Sequence, residues 1–206
     1  MNEKIINAMA ELDEDVLYAE VDAAIAAGTP VADIIDDLQK GMTIVGDRFA
    51  SREYFLSELM LSAVMFRECQ EKMGGAAVGE AKYGNFVIGT VAGDVHDIGK
   101  NIVASVMASN GFNVIDLGVD VPAEKFVQAI KEYQPKVIGL SCLLTTVFGA
   151  MKDAIAQIRD AGLAEGRLIL IGGGPVEQST VEYVNADAMC RTAQETVNRA
   201  IEFVTK

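Results

Sequence analysis

The chain has one histidine, His96, and it lies in the segment Gly93-Asp94-Val95-His96-Asp97-Ile98-Gly99-Lys100-Asn101. An imidazole can serve as a base, a proton carrier or a metal ligand. Asp94 is two residues upstream, close enough to accept a hydrogen bond from one ring nitrogen. That bond would fix the tautomer and leave the other nitrogen free to ligate. Gly93 and Gly99 permit tight turns and close approach by a large ligand. Taken alone, a histidine of this kind reads more often as a structural or solvated loop residue. One histidine also cannot hold a bare zinc or iron ion, and the three cysteines, Cys69, Cys142 and Cys190, lie far from it with no CxxC spacing. A metal on His96 has to arrive already coordinated, inside a cofactor. Two other segments stand out. Ser141-Cys142-Leu143 follows an apolar run, and Gly172-Gly173-Gly174 follows another. Ser141 alternatively satisfies a strand-end amide. The glycines alternatively form an ordinary turn, or an anion-binding loop before a helix begun by Pro175.

These segments need elements to position them. From residue 85 onward the pattern alternates between buried strands and amphipathic helices. Strands are expected at Phe86 to Ala92, Asn113 to Leu117, Val137 to Leu140, Leu168 to Ile171 and Asp187 to Cys190. Helices are expected around Ile98 to Met107, Phe126 to Ile130 (opened by Pro122), Phe148 to Ile158 and Val197 to Val204. Alternation of this kind gives a doubly wound parallel sheet, and strands that are apolar throughout fit burial on both faces. Ligands of such sheets gather at the carboxyl ends of the strands. The three segments fall there, which makes them one expected site.

Residues 1–73 read differently. Apolar residues recur at helical spacing in four stripes: Ile5, Ile6 and Met9; Leu17, Val21, Ala24 and Ile25; Ile34, Ile35, Leu38, Met42, Val45 and Phe49; Leu56, Leu59, Met60, Ala63 and Phe66. Thr29-Pro30 reads as an N-cap followed by proline at the first helical position. Ser51 or Ser57 reads as the cap of the fourth helix. Short connections make these a four-helix bundle. Residues 74–84 contain four glycines and little periodicity, and read as a linker.

A net charge of −13 argues against a nucleic-acid-binding surface and against docking on anionic membranes. No apolar run reaches membrane-spanning length, the N-terminus lacks the plan of a signal peptide, and the thiols fit a reducing compartment. The expected location is the cytoplasm.

Taken together, Asp94-x-His96-x-x-Gly99, then 41 residues, Ser141-x-Leu143, then 28 residues and Gly172-Gly173 resembles the signature of cobalamin-binding domains. The helical segment before it resembles the cap of methionine synthase and of corrinoid methyltransferase proteins. The resemblance covers nearly the whole chain and is nearest, in size and layout, to the free-standing corrinoid proteins of methyltransferase systems. It implies a helical cap (residues 1–73), a linker (74–84) and a flavodoxin-like, Rossmann-like cobalamin-binding domain (85–206). It implies a cobalamin or related corrinoid bound base-off/His-on, with His96 as lower axial ligand to cobalt and Asp94 holding it. Gly99 would leave room beside the corrin, Ser141 and Leu143 would line the slot for the nucleotide tail, and Gly172 and Gly173 would let that tail run close to the sheet. Tyr54, Phe55, Leu59 and Met60 are candidates to cover the upper corrin face, although plain helical core is the commoner role for any one of them.

The implied function is that of a methyl carrier, not catalytic alone, whose cobalt cycles between Co(I) and methyl-Co(III), with proton uptake by the Asp94–His96 pair and movement of the cap on its linker. The implied partners are a substrate-specific methyltransferase, a methyl-acceptor methyltransferase working on tetrahydrofolate or another C1 acceptor, and a reductive activase. The methyl donor is expected to be a methoxylated aromatic or a methylated amine. One position departs from the pattern. Val147 stands six residues after Ser141, where methionine synthase has a relay serine. A cobalamin-dependent sensor needs a DNA-binding module that the chain has no room for beside the cap. A mutase cobalamin subunit usually lacks the cap. A nucleotide-binding or receiver-like domain finds no GxGxxG or P-loop after the first strand.

Overall fold

The computed structural model describes residues 1–73 and 82–206; most of the expected linker, residues 74–81, lies outside the described residues. The chain divides into two compact units, Met1–Lys82 with Ser109–Gly111, and Tyr83–Ala108 with Phe112–Lys206.

The first unit holds helices α1 (Glu3–Glu11), α2 (Glu14–Ala26), α3 (Val31–Ala50) and α4 (Leu56–Lys72). Side-chain oxygens start the first two: Asn2 accepts from the Lys4 amide and Asp13 from the Val16 amide, both at 3.1 Å. Ile5, Met9, Leu17, Val21, Ile34, Leu38, Met42, Met65 and Phe66 form one buried cluster. Helices α1 and α3 approach closely at Gly41, where a Cβ would lie 2.6 Å from Met9 Cβ.

The expected caps of α3 and α4 differ. Helix α3 begins at Val31, with Pro30 in the cap position and no side-chain cap bond; Thr29 instead closes α2, its amide donating to Ala24. Proline's fixed φ suits the flanking position as well as the first turn, so the dipeptide alone does not set the register. Helix α4 is capped from within: Glu58 accepts the Phe55 amide at 2.9 Å, Ser57 lies in the first turn, and Ser51 ends α3. The expected α4 stripe also splits. Leu59 and Phe66 are buried, with Ser62, Met65 and Cys69 beside them, while Leu56, Met60 and Val64 are exposed. The helix is apolar on two faces, and periodicity does not say which of them meets the bundle.

The second unit is a five-stranded parallel sheet in the order β2-β1-β3-β4-β5, built from β1 (Asn85–Thr90), β2 (Asn113–Asp116), β3 (Val137–Ser141), β4 (Leu168–Gly172) and β5 (Ala188–Cys190). Helices α5 (Ile98–Ser109), α6 (Ala123–Tyr133), α7 (Phe148–Asp160), α8 (Gln178–Val184) and α9 (Ala193–Thr205) connect and follow the strands. The expected helix at Pro175 begins three residues later, at Gln178, and the proline lies in the turn before it. Pro122 flanks α6 rather than opening its first turn. Val87, Ile138, Leu140, Ile169 and Ile171 lie in one buried cluster with Phe126, Ile130, Met151, Ile155 and Ile158 from α6 and α7. This strand order is that of the flavodoxin-like fold, whose chain reverses direction between β1 and β3 and opens a crevice at their carboxyl ends. No helix among the described residues is long and apolar enough to cross a membrane.

Candidate functional site

The register of the sheet brings the three expected segments together. Thr90, the last residue of β1, pairs with Ser141, the last residue of β3, and Ser141 pairs with Gly172, the last residue of β4. The His96 loop leaves β1 at this edge, and Ser141-Cys142-Leu143 and Gly172-Gly173-Gly174 leave the neighbouring strands beside it.

Gly93 turns the chain with φ +82°, a backbone conformation that favours glycine. The Asp94 amide donates to the Val91 carbonyl at 3.1 Å, and the chain then rises to α5. Asp94 is fully buried, at 0% exposure. One carboxylate oxygen, Oδ1, lies 2.6 Å from His96 Nδ1 and accepts the His96 amide at 3.0 Å. The other, Oδ2, accepts the amides of Leu143 at 2.6 Å and Leu144 at 3.1 Å. Burial by itself raises the carboxyl pKa; hydrogen bonds from the His96 amide, the Leu143 amide, the His96 ring and the Leu144 amide outweigh it and hold the group well below the usual carboxylate range. Asp94 is therefore an ionised acceptor at neutral pH. An ionised acceptor at Nδ1 makes that nitrogen the protonated one, which leaves Nε2 of the neutral ring with its lone pair. The His96 side chain is 48% exposed, so the ring is open to solvent.

Val147 lies in the short 3-10 turn Thr145–Val147 before α7 and packs near Gly93, where a Cβ on the glycine would be 3.0 Å from Val147 Cγ1. Asp94 Oδ2 is occupied by the two backbone amides.

The surroundings suit a broad apolar ligand. Val95, Leu143 and Leu144 on these loops, Ile98 at the start of α5 and Val119 after β2 are exposed. A Cβ added at Gly99 would meet nothing within 4 Å, so protein packing does not demand glycine there. Gly173 is different. Its φ is +134° and a Cβ would lie 1.8 Å from the Cys142 carbonyl oxygen, so the fold itself requires this glycine. A Cβ on Gly172 would sit 3.3 Å from the Cys190 carbonyl oxygen. Cys142 is buried, and burial pushes its thiol up to about 11; burial pushes Cys69 up to about 12. Neither is a ready thiolate nucleophile. Among the described residues, no group of three or more His, Cys, Asp and Glu is placed to hold a metal ion.

Of the candidates for the upper face, Phe55 and Met60 are exposed at 70% and 56%, while Leu59 is buried. Tyr54 is also spoken for: its hydroxyl donates to the Ala10 carbonyl at 2.9 Å and meets Arg48 Nη1 at 2.7 Å. Sequence reasoning overlooked Thr90, whose hydroxyl donates to the His96 carbonyl at 3.0 Å, and Leu144. It also overlooked Asp120 and the Lys100–Asp116 pair. A buried lysine four residues after the histidine was a signal available in the sequence only to a reader who already knew the fold.

Residues 84–202 match the B12 binding domain family, and residues 1–69 match a second family of that description. The chain is similar to a corrinoid protein of Desulfitobacterium hafniense, 34% identical over 99% of this chain and 97% of that one. It is similar to dimethylamine corrinoid protein 1 of Methanosarcina acetivorans, 35% identical over 98% of this chain and 96% of that one. Among solved structures, a cobalamin-binding protein from Desulfitobacterium hafniense aligns with a TM-score of 0.84 at 34% identity over 96% of both chains. A chain of the methanol:cobalamin methyltransferase complex from Methanosarcina barkeri aligns at 0.86, with 33% identity over 98% of this chain and 78% of that one.

Proposed function

The chain belongs to the B12-binding corrinoid proteins, and on that premise we propose that it carries a methyl group between two methyltransferases on a corrinoid bound base-off, with His96 as lower ligand. One observation carries the ligand assignment: a solvent-accessible imidazole at the β1/β3 crevice has its Nδ1 held by a buried, ionised Asp94, and its Nε2 is left to bind. When bound, the corrinoid supplies a cobalt centre that takes up and gives away a methyl group as it moves between Co(I) and Co(III).

The protein's part is to bind, orient and shield. Asp94 fixes the tautomer and the direction of the ring. The Leu143 and Leu144 amides hold Asp94 as an ionised acceptor facing the ring. Val95, Ile98, Leu143 and Leu144 offer exposed apolar surface for a corrin to cover. Gly99 leaves room beside the corrin, and Ser141, Leu143, Gly172 and Gly173 border the tail of the cofactor. Residues 1–73 act as a cap, with Phe55 and Met60 as the exposed apolar residues for the upper face, residues 74–84 as its linker and residues 85–206 as the corrinoid domain.

The partners in this reading are a substrate-specific methyltransferase, an acceptor methyltransferase and a reductive activase, in the cytoplasm. The relatives named for dimethylamine and trimethylamine favour a methylated amine as donor. The methyltransferase complex that contains a similar chain supports a methyltransferase partner.

The test is His96→Ala in the full chain loaded with methylcobalamin. The visible spectrum is expected to lose the histidine-ligated form. An unchanged spectrum would remove His96 from the cobalt.

A further inference from the structure

The loop that carries His96 is held by the loop that follows β2. Asp120 has φ +51°, a left-handed conformation that few residues other than glycine, asparagine and aspartate adopt readily. In that conformation its carboxylate accepts the Gly93 amide at 2.7 Å, and its own amide donates to the Asp94 carbonyl at 2.9 Å. The two bonds bracket the Gly93–Asp94 dipeptide, which aims the Asp94 side chain. The other end of the same loop is tied to the far side of the histidine. Asp116 accepts from the buried Lys100 of α5 at 2.5 Å and from the Gly118 amide at 2.9 Å. The Gly118 carbonyl takes the Thr90 amide at 3.0 Å, and the Thr90 hydroxyl reaches the His96 carbonyl at 3.0 Å.

A plainer role for Asp120 is a turn residue before Pro122. Its carboxylate, however, goes to Gly93, twenty-seven residues away, and helix α6 is flanked by Pro122 with no side-chain cap. The turn does not account for that bond.

We propose that Asp120 is a positioning residue for the axial histidine: by gripping Gly93 and Asp94 it sets the direction of the carboxylate and, through it, of the His96 ring. The proposal rests on the reading of His96 as the corrinoid's ligand. Outer partners of metal-binding histidines change metal affinity by about 10- to 100-fold when removed, and Asp120 stands one step further out, behind the carboxylate.

The test compares Asp120→Gly, which keeps the left-handed backbone and deletes the acceptor, with Asp120→Asn, which keeps both. In the full cofactor-free chain, Asp120→Gly is expected to speed amide exchange at Gly93 by about tenfold or more. Titrated with hydroxocobalamin, it is expected to bind about tenfold more weakly, with a smaller histidine-ligated fraction in the visible spectrum across the pH range. Asp120→Asn is expected to stay near the wild-type chain in all three. Unchanged Gly93 exchange and affinity in Asp120→Gly, or equal losses in both variants, would overturn the assignment. Exchange in the cofactor-free chain probes the brace alone, whereas an unchanged spectrum in His96→Ala defeats the ligand assignment irrespective of Asp120.

Discussion

Leu143, just past the end of β3, donates its amide to Asp94 Oδ2 at 2.6 Å across forty-nine residues of sequence. The carboxylate that holds the histidine is thus itself held by the strand on the other side of the crevice. Val147 offers Asp94 no side-chain donor, and the Leu143 and Leu144 amides supply the donors at Oδ2.

Asp94→Asn puts an amide nitrogen where every neighbour is a donor. Turned one way, it faces the Leu143 and Leu144 amides. Turned the other way, it donates to Nδ1 and moves the ring proton to Nε2, which then cannot ligate. A loss of about 10- to 100-fold in hydroxocobalamin affinity is expected by spectral titration. The pH dependence has a definite sign. The folded-state pKa of Asp94 lies below its unfolded value of about 3.9, so its contribution is complete at neutral pH and is lost as pH falls below that value. The stability gap between wild type and Asp94→Asn should therefore be level from pH 7 to 5 and narrow below about pH 4 in denaturant melts.

Gly99→Ala separates stability from binding. A Cβ there meets nothing within 4 Å, and alanine is the better helix former by roughly 0.5–1 kcal/mol in a helix interior. The cofactor-free variant should unfold at equal or slightly higher urea concentration. If the corrin lies beside this position, its affinity should nevertheless fall. Tighter binding by the variant would show that the corrin does not pass there.

Gly173→Ala should behave in the opposite way. The new Cβ overlaps the Cys142 carbonyl and the φ of +134° is closed to alanine. A cost of roughly 3 kcal/mol or more is expected in urea denaturation of the cofactor-free chain. A melt like that of wild type would mean that the two loops part easily.

The cap prediction concerns Phe55 and Met60, both exposed. The double alanine variant should change the stability of the cofactor-free chain by less than about 1 kcal/mol. It should speed air oxidation of the reduced cofactor, followed in the visible spectrum. No change in that rate would assign the upper face to other residues.

The alternation of elements, the all-parallel sheet and the helical character of the N-terminal unit were legible in sequence because they depend on local periodicity and on runs of apolar residues. The cap positions of α3 and α4 were less so. A proline or serine near a helix start is compatible with several registers, and Glu58 decides the matter at α4 from inside the helix. Leu59 and Met60 are adjacent and both apolar, yet one is buried and the other exposed; the distinction belongs to tertiary packing.

By itself the sequence determined that a lone histidine with a nearby carboxylate sits after a buried strand, at a spacing from Ser141 and Gly172 that a corrinoid domain requires. Only the tertiary structure decided how that pair is held. The Leu143 and Leu144 amides and the Asp120 carboxylate come from loops of other strands. Backbone donors carry no residue-type signal, and an aspartate in a turn looks like any other until the parallel register sets it against Gly93.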